Sequence, residues 1–208
     1  MNKLYRIRNT YVLKSKISSF FKTYKNLIFF LVFVLFVGIV TGILTASKYS
    51  GDLELKNLPD GNIVDFISGD KGSFGVFFAY FIEFLLVYLF LVFLNINGLF
   101  NFLSFVIVGI FGYVAGFTVA GIITLYSFVG IINVVVLIIP FDLCILFLLI
   151  LLTSISIRKY RICKRFGSNC ASCLSYKKDS FVLFLILTLI LFVKCMILPI
   201  MRITIIVN

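Results

Sequence analysis

The chain lacks histidine and tryptophan altogether, and charge of either sign is scarce: 13% of its 208 residues are charged, and only 8 are acidic. The absence of histidine removes the commonest general base and the commonest metal ligand. It excludes a Ser-His dyad of the intramembrane protease type. No pair of acids shares one apolar segment, as a metal-dependent or aspartyl membrane protease requires. No glycine loop of the phosphate-binding or dinucleotide-binding kind is present. Proline occurs only 3 times, so the long apolar runs have few built-in breaks. No catalytic residue, metal or cofactor is therefore expected, and the chain reads as a non-enzyme.

Apolar sequence takes the place of these groups. Hydrophobic residues make up 62% of the chain, and 26 of the 208 residues are Phe. A soluble domain carries roughly 45–50% apolar and about 25% charged residues. A core of this size cannot bury the excess, so lipid must cover it. At roughly 20 residues per span, the runs divide into spans at residues 26–46, 74–94, 99–125, 128–157 and 180–198. The expected class is all-α, a polytopic helical membrane protein with about five transmembrane helices in a single domain. The long run 99–157 divides near Tyr126-Ser127, and Pro140 is expected to kink its second half. The apolar stretch after residue 25 is long enough to span, so no cleavable signal peptide is expected.

The formal charge of +11 raises the question of nucleic acid, but its placement argues for a membrane instead. Seven Lys and Arg lie within the basic segment 1–25 and seven within 158–178, both beside apolar runs. Segment 47–73 carries five acids against three lysines. The positive-inside rule puts the two basic segments in the cytoplasm and 47–73 outside. An even number of spans must then separate the basic segments, which four spans satisfy. The fifth span places the C-terminus outside. No nucleic-acid partner is expected, since neither basic segment carries a binding motif.

Small residues recur at helical spacing. Gly38, Gly42 and Ala46 fall on one face of the first span, and Gly112, Gly116 and Ala120 on one face of the third. Such faces let backbones approach closely in lipid, either within the bundle or against a partner. Three charges lie inside spans: Glu83, Asp142 and Lys194. Each should face the bundle interior or water. Glu83 and Lys194 are expected to pair, unless Lys194 snorkels outward. Asp142 is expected nearer the inner side. It reads either as an ion or proton site or as a carboxylate satisfied by backbone that Pro140 frees. Cys163, Cys170 and Cys173 include a CxxC spacing, but a structural zinc site needs four ligands. They read as free or acylated thiols, with metal or redox use as the alternative.

One stretch carries a family resemblance. From Ile110 to Ile157 the chain has Gly112-x-x-x-Gly116-Phe117-Thr118, then Gly130, then Ile138-Ile139-Pro140 and a second apolar half. With the basic N-terminal segment, the Gly-rich end of the first span at Gly38 to Leu44, and a last span closing on Leu198-Pro199, this order resembles the stage II sporulation protein M family. The chain departs from that pattern after the proline. The family usually has polar residues there, and this chain has Phe141-Asp142. The resemblance implies a membrane scaffold at the sporulation septum. Such a scaffold anchors a peptidoglycan amidase and a lytic transglycosylase, whose cell-wall remodelling drives forespore engulfment. The alternative reading of the intramembrane charges is a small secondary transporter, or an integral subunit of a transport complex.

Overall fold

The computed structural model describes the backbone of residues 2–49, 51, 54, 57–94, 101–166 and 171–206, and the side chains of 25–49, 51, 54, 57–91, 102–136, 138–157 and 178–200. The protein is all-α, and no strand occurs among the described residues. Helix α1 runs Asn2–Lys48, α2 Gly61–Ser68, α3 Ser73–Leu94 and α4 Asn101–Asn133. A π-helical turn, Val134–Ile138, leads into α5, Ile139–Phe166, and α6 is Ala171–Ile206. Five helices are long and apolar enough to cross a membrane. Their outward faces carry large apolar side chains: Phe29, Phe33 and Phe36 of α1 are 57–73% exposed. That exposure is tolerable only against lipid.

Buried clusters at the two ends of the bundle show which way each helix runs. Ala46, Val76, Ile122, Ile138 and Leu198 pack together at the α2 end. Leu31, Leu91, Val108 and Leu149 pack toward the opposite end. The five long helices therefore alternate in direction, and α1 lies parallel to α4. The chain reverses within the α4 range, at Ser127, whose backbone (φ 47°, ψ −123°) is not helical. Those angles match the first central position of a type II′ turn, which favours glycine. Just past it, a Cβ on Gly130 would stand 2.5 Å from the Ile122 carbonyl oxygen. In one straight helix, two residues eight apart are separated by roughly 12 Å. The expected division near Tyr126-Ser127 is thus a hairpin.

Pro140 acts through the π turn. Proline has no N–H, and its ring collides with the carbonyl four residues back. Just ahead of it, the Ile139 N–H bonds the Val134 carbonyl, five residues back. One extra residue per turn relieves the collision that a regular helix would suffer.

The ends of the helices differ from expectation. Segment 1–25 is continuous with the first span in α1. The segment 158–178, expected as a loop, is helical except for 167–170, which lie outside the described residues. Its Lys and Arg are good helix formers. Helix α6 continues through Pro199 to Ile206 rather than stopping at 198. Segment 47–73 is not simply a loop, since it contains α2.

Helices α1 and α4 form the most extensive contact. A Cβ on Gly112 would meet the Leu35 carbonyl oxygen at 2.6 Å, and one on Gly42 would meet the Phe117 amide nitrogen at 2.7 Å. Gly38 abuts the Gly109 carbonyl, and Gly116 the Ile39 carbonyl. All four glycines are buried. Of the two roles open to the small-residue faces, packing within the bundle is the one they fill. The missing side chains let backbone meet backbone, which dispersion and Cα–H···O contacts reward where water is absent. Gly42→Val should destabilise the protein by about 1–3 kcal/mol through overpacking. Gly61→Ala should be near neutral, because nothing lies within 4 Å of its added carbon. Thermal unfolding in detergent measures both.

Candidate functional site

Helix α2 is the element that builds the site. Its capping signals are local: the Asp60 side chain accepts from the Ile63 amide at 3.3 Å, and Gly69 closes the helix with φ 92°. Ile63, Val64, Phe66 and Ile67 give it one apolar face, and all four are buried in the bundle. Leu58, just upstream, fits against Gly121 of α4. The helix thus lies as a plug across one end of the bundle.

Beneath it is a cavity of about 130 Å³. Residues at helical spacing supply its wall: Tyr80 and Glu83 from α3, Val114 and Ala115 from α4, Asp142 and Ile145 from α5, Leu191 and Lys194 from α6. In α3, α5 and α6 a separation of three puts the two residues on the same side of the helix. Asp60 and Asn62 close the top.

The Lys194 Nζ donates to Asp142 Oδ1 at 2.6 Å. Lys194 is 4% exposed. Its Nζ also stands 5.1 Å from the Tyr80 ring centroid, a cation–π distance. The Tyr80 hydroxyl donates to the Asp60 carboxylate, with oxygens at 2.6 and 2.8 Å. One chain of contacts therefore runs from α5 through α6 and α3 to the cap of α2. Burial pushes the Asp60 carboxyl above its ordinary value of 3.8, and the Lys194 charge and the Tyr80 hydrogen bond oppose that rise.

Three expectations are corrected here. Glu83 and Lys194 do not pair. Tyr80, one turn nearer α2, occupies the place on α3 that faces Lys194, and Glu83 points to the flank and accepts from Asn62 Nδ2 at 3.3 Å. Lys194 does not snorkel, because Asp142 satisfies it inside. Asp142 is satisfied by that lysine rather than by backbone freed at Pro140. It lies in the α2 half of the bundle, in register with Lys194. Helix α5 continues to Phe166, which shifts the middle of the α5–α6 pair further along the chain.

No family model, curated protein or solved structure matches this chain. The site therefore stands on its own geometry.

Among the described residues no group of His, Cys, Asp and Glu is placed to hold a metal ion. Cys195 is buried and Cys144 exposed, both as free thiols. The side chains of Cys163, Cys170 and Cys173 lie outside the described residues. Gly38, Gly42, Gly112 and Gly116 sit in the α1–α4 contact, away from the cavity wall, and Pro140 is exposed half a turn before Asp142. The sequence reading missed Asp60, Tyr80 and Asn62. A signal existed for Asp60: an N-cap residue followed by apolar positions at 63, 64, 66 and 67 marks a short amphipathic helix. Nothing in the local sequence marks Tyr80 out from nine other tyrosines.

What the arrangement does chemically is hold charge at membrane depth. An unpaired ammonium or carboxylate here is costly. Lys194→Met and Asp142→Asn should each destabilise by about 3–5 kcal/mol, and the double variant should recover most of that loss. Glu83→Gln should shift stability by about 0.5 kcal/mol or less. Thermal unfolding in detergent separates these outcomes; equal damage from Glu83→Gln would contradict the pairing.

Proposed function

We propose that the protein is a non-enzymatic membrane scaffold that anchors and localises peptidoglycan-degrading enzymes during forespore engulfment, in line with its resemblance to the stage II sporulation protein M family. The observation that carries this reading is α2. Its apolar face is buried, Asp65 lies on its other side, and Asp70 and Lys71 follow in the turn after the Gly69 cap, where Lys71 pairs with Asp65 and Ser68 bonds Asp70. A fixed, charged, amphipathic platform at one end of the bundle is what docking of a hydrolase requires. The small-residue faces are occupied by α1–α4 packing, so partner contact falls to the α2 end.

In this reading the five alternating passes keep both basic segments on the cytoplasmic side. Helix α2 and the C-terminus then face outward, toward the wall. The partners are a peptidoglycan amidase and a lytic transglycosylase. Asp65 and Asp70 complement a basic docking surface and set its orientation more than its affinity.

The test is co-purification from the native host together with membrane imaging under starvation. Loss of the gene should arrest cells with a septum that never migrates around the smaller compartment. Asp65→Lys combined with Asp70→Lys should release the hydrolases while the protein stays in the membrane. Normal engulfment without the gene would overturn the reading.

A second reading, a small secondary transporter or transport-complex subunit, is favoured by the charged cavity. Purified protein in liposomes distinguishes it. Substrate-dependent proton or ion flux would support transport, and tight membranes with hydrolase binding would support the scaffold.

A further inference from the structure

The cavity beneath α2 keeps spare hydrogen-bonding capacity of both kinds. Lys194 lines it and is 4% exposed. An ammonium carries three donors, and among the described residues only Asp142 Oδ1 accepts from this one. A buried donor without an acceptor is costly, so an acceptor belongs in the cavity beside Lys194. The carboxylates differ in the same way. Both oxygens of Asp60 accept from Tyr80. Asp142 uses one oxygen on Lys194, and Glu83 accepts only the long bond from Asn62.

Size and charge narrow the ligand. The hollow measures about 130 Å³. A protein cavity of roughly 150 Å³ accommodates benzene, so about six non-hydrogen atoms is the most that this one takes. Glu83 belongs to its wall and is exposed on the flank of the bundle, so the hollow opens beside that carboxylate. Phe84, Phe111 and Leu191 give the wall an apolar side. Formal charges are three carboxylates, Asp60, Glu83 and Asp142, against one ammonium. A cation is therefore favoured, and the acceptor for Lys194 must be uncharged. Among the described residues no group of acids converges to hold a metal ion, which leaves an organic cation.

We propose that the cavity binds a small amino alcohol, a primary ammonium and a hydroxyl joined by a short carbon chain. The ammonium donates to Glu83 at the mouth, and the hydroxyl accepts from Lys194 inside. The carbons between lie against the apolar wall. The site is independent of the scaffold reading and requires no transport, so it survives the failure of either.

Thermal unfolding of the detergent-purified wild type tests it, with ethanolamine, propylamine, ethylene glycol and glycine each titrated at constant pH and ionic strength. Propylamine replaces the hydroxyl of ethanolamine by a methyl group, ethylene glycol replaces its ammonium, and glycine carries a carboxylate in place of the alcohol. A ligand this small binds no tighter than roughly tens of micromolar, so the titrations extend into the millimolar range. Ethanolamine should raise the melting temperature with a dissociation constant about tenfold below that of each of the others, as one hydrogen bond to a charged group implies. Glu83→Gln should weaken ethanolamine about tenfold by the same measure and leave the melting temperature of the ligand-free protein unchanged. Ala115→Leu, which fills the hollow, should abolish the shift. No shift with ethanolamine, equal affinity for any of the other three, an unaltered affinity in Glu83→Gln, or a shift retained in Ala115→Leu would each overturn the proposal.

Discussion

Lys194 and Asp142 meet inside a bundle whose outer faces are made for lipid, and much else in the structure is arranged around that contact. Taking an ammonium ion out of water costs several kcal/mol, which is recovered only with good geometry and further hydrogen bonding. The 2.6 Å bond supplies the first requirement. The Tyr80 ring adds a cation–π contact to the ammonium, and its hydroxyl ties the same site to Asp60. Because Asp60 also caps α2, the plug helix is tied to the same charges that register α5 against α6. The pair lies 52 residues apart in sequence, so it specifies a long-range arrangement that apolar packing in lipid leaves loosely defined.

The α1–α4 contact is the complementary constraint. In lipid there is no hydrophobic drive between helices, and close approach must come from shape. Two parallel helices with glycines at matching heights achieve it. The hairpin at Ser127 then returns the chain, and the π turn admits Pro140 without breaking the helix. Together these fix where α5 stands, and so where Asp142 meets α6. The scaffold reading follows from what remains outward, a rigid charged platform at one end.

Much of this architecture was legible from residues alone. Composition placed the chain in a membrane, span length divided it into five, and Tyr126-Ser127 was the right point of division. Matching Gly-x-x-x-Gly spacings at 38–42 and 112–116 marked the faces that meet, although no spacing says which partner a small face will take. The site was harder to read. Glu83 and Lys194 were expected to pair on depth alone, but pairing depends on the rotation of each helix. Helical rotation follows from tertiary packing, and Tyr80 takes the inward position on α3. Helix α2 was hidden by its own turn signals: Pro59-Asp60-Gly61 reads as a turn, and the same Asp serves as a helix cap. The basic segments extended as helix because charge placement speaks to membrane side and not to backbone conformation.

The central claim is that buried polar contacts hold α2 against the bundle. Amide hydrogen exchange of the protein in nanodiscs, compared with Tyr80→Phe, tests it most directly. In the wild type the amides of Val64, Asp65 and Phe66 should be protected well beyond those of an exposed helix. In Tyr80→Phe, which removes only the hydroxyl that holds Asp60, that protection should fall about fivefold to tenfold, as one lost hydrogen bond of roughly 1–1.4 kcal/mol implies, with α3 unchanged. Free exchange of α2 in the wild type, or protection indifferent to the hydroxyl, would contradict the account.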